Sequence, residues 1–155
     1  MKVNRYMQSL MSSANIAIPI RVKNLAWPLL NFIGSGFIES EMCIFFREAW
    51  NKMPHLNLAQ FEDRTAFECF VNKIYIDDLL KDQDYTEMEK VRETIWFAKE
   101  VQDLLKAAFE GRIFEVFLSI NNYQYICNFH EIRLGETWLS DDLESYSEEA
   151  ILIMD

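Results

Sequence analysis

His130 is the residue whose surroundings come closest to a reactive site. It sits in Asn128-Phe-His-Glu-Ile-Arg133, beside an acid and close to a base. On a strand, His130 and Glu131 point to opposite faces, so the two make a poor acid–base pair. A general base needs a partner held in geometric reach, and the sequence offers His130 none, which favours a structural histidine. His55 follows Pro54 in a loop and also lacks a partner. Cys43, Cys69 and Cys127 are scattered, with no Cys-x-x-Cys spacing, and neither histidine completes a zinc-like pattern with them. Buried, reduced thiols are expected. The acid pairs Asp77-Asp78 and Asp141-Asp142 lack the Asp-x-Asp-x-Asp-Gly frame of a calcium loop. There is no phosphate-cradling glycine loop and no Gly-x-Ser-x-Gly nucleophile turn. The expectation is therefore no catalytic residue, no metal and no cofactor.

Charge is the stronger signal. The chain has 155 residues and a net charge of −10, distributed unevenly. Residues 1–38 hold Lys2, Arg5, Arg21 and Lys23 and no acid, whereas Glu136 to Asp155 hold seven acids and no Lys or Arg. Those acids are mixed with Trp138, Leu139, Leu143, Tyr146, Ile151, Leu152 and Ile153, which implies a folded, negatively charged surface rather than a solvated tail. Such a field repels nucleic acid and anionic membrane and speeds encounter with basic proteins. The candidate partner-binding residues are Glu136, Trp138, Asp141, Asp142, Glu144 and Tyr146, with Asp77 and Asp78 as a second group.

A chain of this length and hydrophobicity is expected to form one domain, 1–155, of class α+β. No stretch reaches the eighteen or more apolar residues of a membrane span, and the basic N-terminus runs into no clean signal sequence. These features point to a cytoplasmic protein. Residues 1–24 read as a loosely packed arm or as a strand around Ile16–Val22. Leu25–Phe37 reads as a short helix running into a turn. Glu39–Met53 carries apolar residues at helical steps, ended by Pro54. Phe67–Ile76 alternates like a strand buried on both faces, with a helix as the competing reading.

The longest helix is expected near 85–109. Thr86 and Glu89 form a capping box there, and Met88, Val91, Ile95, Ala98, Val101, Leu105 and Ala108 make one stripe. Gly111 is its stop. A hairpin follows near 113–132, with strands Ile113–Ile120 and Tyr123–Ile132 turning at Asn121-Asn122. Ser140 is expected to cap a short helix, and Ala150–Met154 to close the fold as an edge strand.

Two segments carry a family likeness. Phe67-Glu-Cys-Phe-Val-Asn-Lys-Ile-Tyr-Ile-Asp-Asp-Leu-Leu80 and the stretch from Asn128-Phe-His-Glu-Ile-Arg to Ser-Glu-Glu-Ala150 resemble immunity proteins of bacterial contact-dependent growth inhibition systems. Together they cover about a quarter of the chain. The resemblance implies a protein that binds the toxic C-terminal domain delivered by a neighbouring cell. Many such domains are nucleases with basic active sites, which an acidic surface would occlude without catalysis. Two other functions stand beside it: a small enzyme using Cys127, His130 or a carboxylate pair, and an acidic adaptor that mimics nucleic acid.

Overall fold

A computed structural model describes every residue of the chain except 83, 122 and 123. In chain order the elements are β1 (Lys2–Val3), α1 (Arg5–Ser13), α2 (Trp27–Gly34), β2 (Phe37–Ser40), β3 (Cys43–Phe46), α3 (Arg47–Asn51), α4 (Arg64–Val71), β4 (Ile74–Tyr75), α5 (Ile76–Leu80), α6 (Glu87–Ala108), β5 (Phe114–Ile120), β6 (Tyr125–Glu131) and β7 (Ala150–Met154). Short 3-10 turns occupy Leu58–Gln60 and Leu143–Ser145. The strands form a five-stranded sheet of order β1-β7-β5-β6-β4 and a separate β2–β3 hairpin, and every pairing is antiparallel. The fold is α+β, as expected. Both edges of the larger sheet are strands of two residues, which limits the unpaired backbone a second chain could add to.

Alternation along the strands sends Val116, Leu118, Cys127, Phe129 and Leu152 to an inner face, where they join the main core. Helix α6 lies on that face with Val91, Ile95, Ala98, Val101 and Leu105 of the expected stripe buried, while Met88 is half-buried and Ala108 is exposed. Its capping box is present: Thr86 and Glu89 satisfy each other's first-turn amides. Gly111, at φ 80°, then takes the left-handed conformation that turns the chain toward β5. Phe117, Ile151 and Ile153 point to the outer face and form a second cluster with Cys69 and Leu143.

The structure corrects five local expectations. Glu39–Met53 is mostly a hairpin. Glu41 and Met42 both have positive φ, 52° and 60°, and make the two-residue turn between paired Ser40 and Cys43. This is the turn geometry that matches strand twist, usually written with Asn or Gly, so its signal was missing from the text. Cys43 to Phe46 are all buried, and their apolar run imitates a helical stripe only because α3 follows directly.

Phe67–Ile76 is mainly helix α4, with a two-residue β4 behind it. Asp63 caps α4 by accepting from Ala66 N. The helix is wedged between β6 and β3 and so buries most of its circumference, Glu68 included, which hides the helical period.

Residues 1–24 are neither an arm nor a strand at 16–22. Lys2–Val3 pairs with β7 and Asn4 caps α1. Consequently Ala150–Met154 is an interior strand between β1 and β5, consistent with all five residues being buried. Near the C-terminus, Asp142 rather than Ser140 caps the short turn, accepting from Glu144 N. The hairpin near 113–132 is present as β5–β6; Asn122 and Tyr123, expected at its turn and strand start, lie outside the described residues.

Candidate partner-binding face

The segment 132–149 leaves β6, crosses the outer face of the sheet and returns as β7. Leu139, Leu143 and Tyr146 dip into the cluster formed by Phe117, Ile151 and Ile153, anchoring it from beneath. Polar contacts fix its path. Tyr146 Oη accepts from Ser140 N at 3.0 Å, and Ser145 Oγ donates to the Asp142 carbonyl at 2.6 Å. Ser119 Oγ donates to the Glu149 carboxylate.

Asn4, buried at the other end of the chain, contributes the most bonds. Its amide nitrogen donates to the carbonyls of Leu143, Tyr146 and Glu149, the last at 2.7 Å. Its oxygen accepts from Met7 N and Ile151 N, both at 3.0 Å. One side chain thus caps α1 and ties the acidic segment to the sheet.

The upstream end of the segment is fastened by Arg133. Its guanidinium forks onto Glu68, with Nη1 2.8 Å from Oε2 and Nη2 2.9 Å from Oε1. Glu68 is 0% exposed. It also accepts from Ile44 N at 2.7 Å and Glu131 N at 2.8 Å, so one carboxylate joins α4, β3 and β6. Arg133 bonds Glu131 as well, and Glu131 is held from its other side by Arg112. Burial is the largest single influence on the Arg133 pKa and lowers it, but the hydrogen bond and charge of Glu68 together with the charge of Glu131 outweigh it and raise the pKa. Two buried asparagines work similarly. Asn72 bridges β3 and β6 through Phe46 N, Ile44 O and Phe129 O, and Asn128 donates to Cys69 O at 2.7 Å.

The eight candidate residues fall into different settings. Glu136 faces the interior, where Oε2 accepts from Thr65 N at 3.0 Å and Thr65 Oγ1 at 2.8 Å; it is a second acidic cap on α4. Negative charge there is favoured by the unpaired amides of a helix start. Asp77 is also engaged, with Lys90 at 3.2 Å and Tyr125 N at 3.1 Å, while Asp78 is exposed on α5. Among the described residues no hydrogen bond or ion pair joins this pair to the C-terminal group.

Asp141, Asp142 and Glu144 are exposed together along the segment, with half-buried Tyr146 beneath them and Trp138 45% exposed nearby. Lys2 reaches Asp141 only at 3.8 Å, between two largely solvated side chains. Leu134, 106% exposed, and Ile132 add apolar surface to the same stretch. A cavity of about 230 Å³ lies between Trp138, Leu139 and Tyr146 and the sheet residues Phe117, Ile126 and Asn128.

His130 is 4% exposed and faces Glu115 across the β5–β6 register. Its Nε2 stands 3.4 Å from Glu115 Oε1 but off the line of a hydrogen bond, and Nδ1 is 3.0 Å from the Glu131 carbonyl. A ring donating through Nδ1 would turn Nε2 into an acceptor facing a carboxylate. Cys127 lies three residues away on the same strand and therefore on the opposite face. Burial pushes the Cys69 and Cys127 thiols well above their ordinary range, and pushes Cys43 up to about 12 with help from the Glu68 charge. Thiols held this way are poor nucleophiles at neutral pH. Among the described residues no group of three or more His, Cys, Asp or Glu is placed to hold a metal ion.

A family model extends over residues 2–155, the whole of the fold just described. The chain belongs to the uncharacterized protein PM0498 family. No curated protein and no solved structure matches it. Among the described residues no helix is long and apolar enough to cross a membrane.

The asparagine staples and the Glu68–Arg133 pair were not among the sequence candidates. A polar residue inside an apolar run, as in Phe67-Glu-Cys or Val71-Asn-Lys, was the available signal.

Proposed function

We propose that this chain is an immunity protein. It binds the basic C-terminal toxin domain of a contact-dependent inhibition system in the cytoplasm and occludes its active site, without catalysis. The observation that carries this reading is the outer-face segment. Asp141, Asp142, Glu144 and Glu148 are exposed along a stretch with no Lys or Arg, and Ile132, Leu134 and Trp138 are exposed beside them. Apolar anchors rimmed by charge of one sign are what a specific protein interface requires. A nuclease site that grips phosphates presents Lys, Arg and His, so a row of carboxylates can stand in for the phosphates it binds.

Support also comes from how the segment is held. Asn4, Arg133 and the Leu139–Leu143–Tyr146 anchors fix it before any partner arrives, so little ordering cost would remain to be met on binding.

Co-expression with the C-terminal toxin domain encoded beside it tests the reading. The expected result is a one-to-one complex and surviving cells. A neighbour that is harmless, or that kills regardless, overturns it.

A further inference from the structure

A cleft of about 590 Å³ opens on the helix side of the molecule, across the sheet from the acidic segment. Its size falls within the roughly 300–1,000 Å³ of ligand pockets. Arg92 and Trp96 of α6 form one wall; the chain after α1, carrying Ile16, Ile18, Arg21 and Lys23, forms the other. In a protein of net charge −10, three cations line this cleft and no Asp or Glu does.

The two acids whose charge Arg92 feels, Glu89 and Glu93, each accept a hydrogen bond elsewhere and do not line the cleft. Glu93 accepts from Ala26 N at 2.8 Å, and Glu89 closes the capping box with Thr86. Arg21 and Lys23 make no ion pair or side-chain hydrogen bond among the described residues. Arg92 lies over the Trp96 ring, its guanidinium carbon 6.0 Å from the centroid, and reaches the Ala14 carbonyl only at 3.5 Å.

A second observation concerns the backbone. From Ala17 to Leu25, no N–H donates to a protein acceptor among the described residues, and Ala17, Ile18, Arg21 and Lys23 of this strap line the cleft. Converging main-chain N–H groups and guanidinium forks are the usual means of holding phosphate oxygens. The guanidinium–indole pair and Ile16 and Ile18 offer a flat, apolar wall on which a ring can stack.

We infer that this cleft binds a mononucleotide, with the phosphate on Arg21, Lys23 and Arg92 and the base against the Trp96–Arg92 pair. The inference does not depend on the immunity reading, because it uses the opposite side of the sheet.

Calorimetric titration of the intact protein with AMP, GMP, CMP and UMP tests it, with inorganic phosphate and adenosine as controls. At least one nucleotide is expected to bind one-to-one, at least about tenfold more tightly than either control. Replacing both Arg21→Ser and Lys23→Ser should weaken that binding roughly tenfold or more while leaving the melting temperature unchanged, since neither side chain has a protein partner. Trp96→Leu should weaken the nucleotide and leave phosphate binding as it was. Three results overturn the proposal: no nucleotide binding up to about 1 mM, inorganic phosphate binding as tightly as every nucleotide, or full affinity in the Arg21→Ser, Lys23→Ser protein.

Discussion

Replacing Arg133 with Met should be among the most damaging single changes in this protein. Methionine keeps an unbranched apolar stem but deletes the fork to Glu68 at 2.8 and 2.9 Å, the bond to the Glu131 carboxylate at 2.9 Å, and the longer contact with Met42 O. Glu68 is fully buried and would keep only Ile44 N and Glu131 N as donors. Breaking a buried pair by removing one partner costs about 3–5 kcal/mol. Because two backbone donors remain on Glu68, we expect the lower end, about 3 kcal/mol, a large share of the roughly 5–15 kcal/mol that holds a domain together. For a chain of this size that is a melting-point loss of about 6–12 °C.

Urea unfolding followed by far-UV circular dichroism at neutral pH reads the loss, with an unchanged slope showing that only stability has moved. A cost below about 1 kcal/mol for Arg133→Met would refute the view that the buried Glu68 carboxylate is clamped by this arginine.

Asn4→Ala should cost about 2–4 kcal/mol, from a lost cap near 1 and at least one orphaned amide, and should speed hydrogen exchange across 143–149; unchanged exchange there would remove Asn4 from its positioning role. Burial is the main cause raising the Glu93 pKa, partly offset by its bond from Ala26 N. A carboxyl whose folded pKa is raised loses stability as pH climbs from its unfolded value, near 4.5, through the folded one. Glu93→Gln, which can still accept from Ala26 N, should therefore gain on wild type at pH 7 and lose that advantage below about pH 4, as paired denaturation curves would show. The three thiols should resist a disulfide reagent at pH 8 until urea unfolds the chain; one fast thiol in the folded protein would reopen a nucleophilic role.

Legibility in the sequence followed local signals. Thr86 and Glu89, most of the α6 stripe and the strand-like runs of β5 and β6 were readable because each depends on neighbours a few residues away. The β2–β3 hairpin was not, because its turn uses Glu41 and Met42, residues that give no hint of positive φ. Helix α4 was misread because the sheet and the hairpin bury it from two sides, leaving no polar stripe. The N-terminal strand was hidden because two residues pairing with a strand some 150 positions away carry no periodicity of their own.

The candidate face was partly legible for a similar reason. Composition marked the acidic segment, but could not separate Glu136 and Asp77, tied into helix caps and ion pairs, from Asp141 and Asp142, which reach solvent. Nor could it show that Arg21, Lys23 and Arg92 meet, since about seventy residues separate the first two from the third.

The most direct test of the proposed function is the association rate of the toxin domain with wild type and with Asp141→Lys, Asp142→Lys, measured across a salt series. Charge reversal on the binding face should slow association severalfold or more at low salt, affect dissociation less, and lose its effect as salt rises past about 0.15 M. Equal association rates at every salt concentration would contradict the account and move the interface elsewhere.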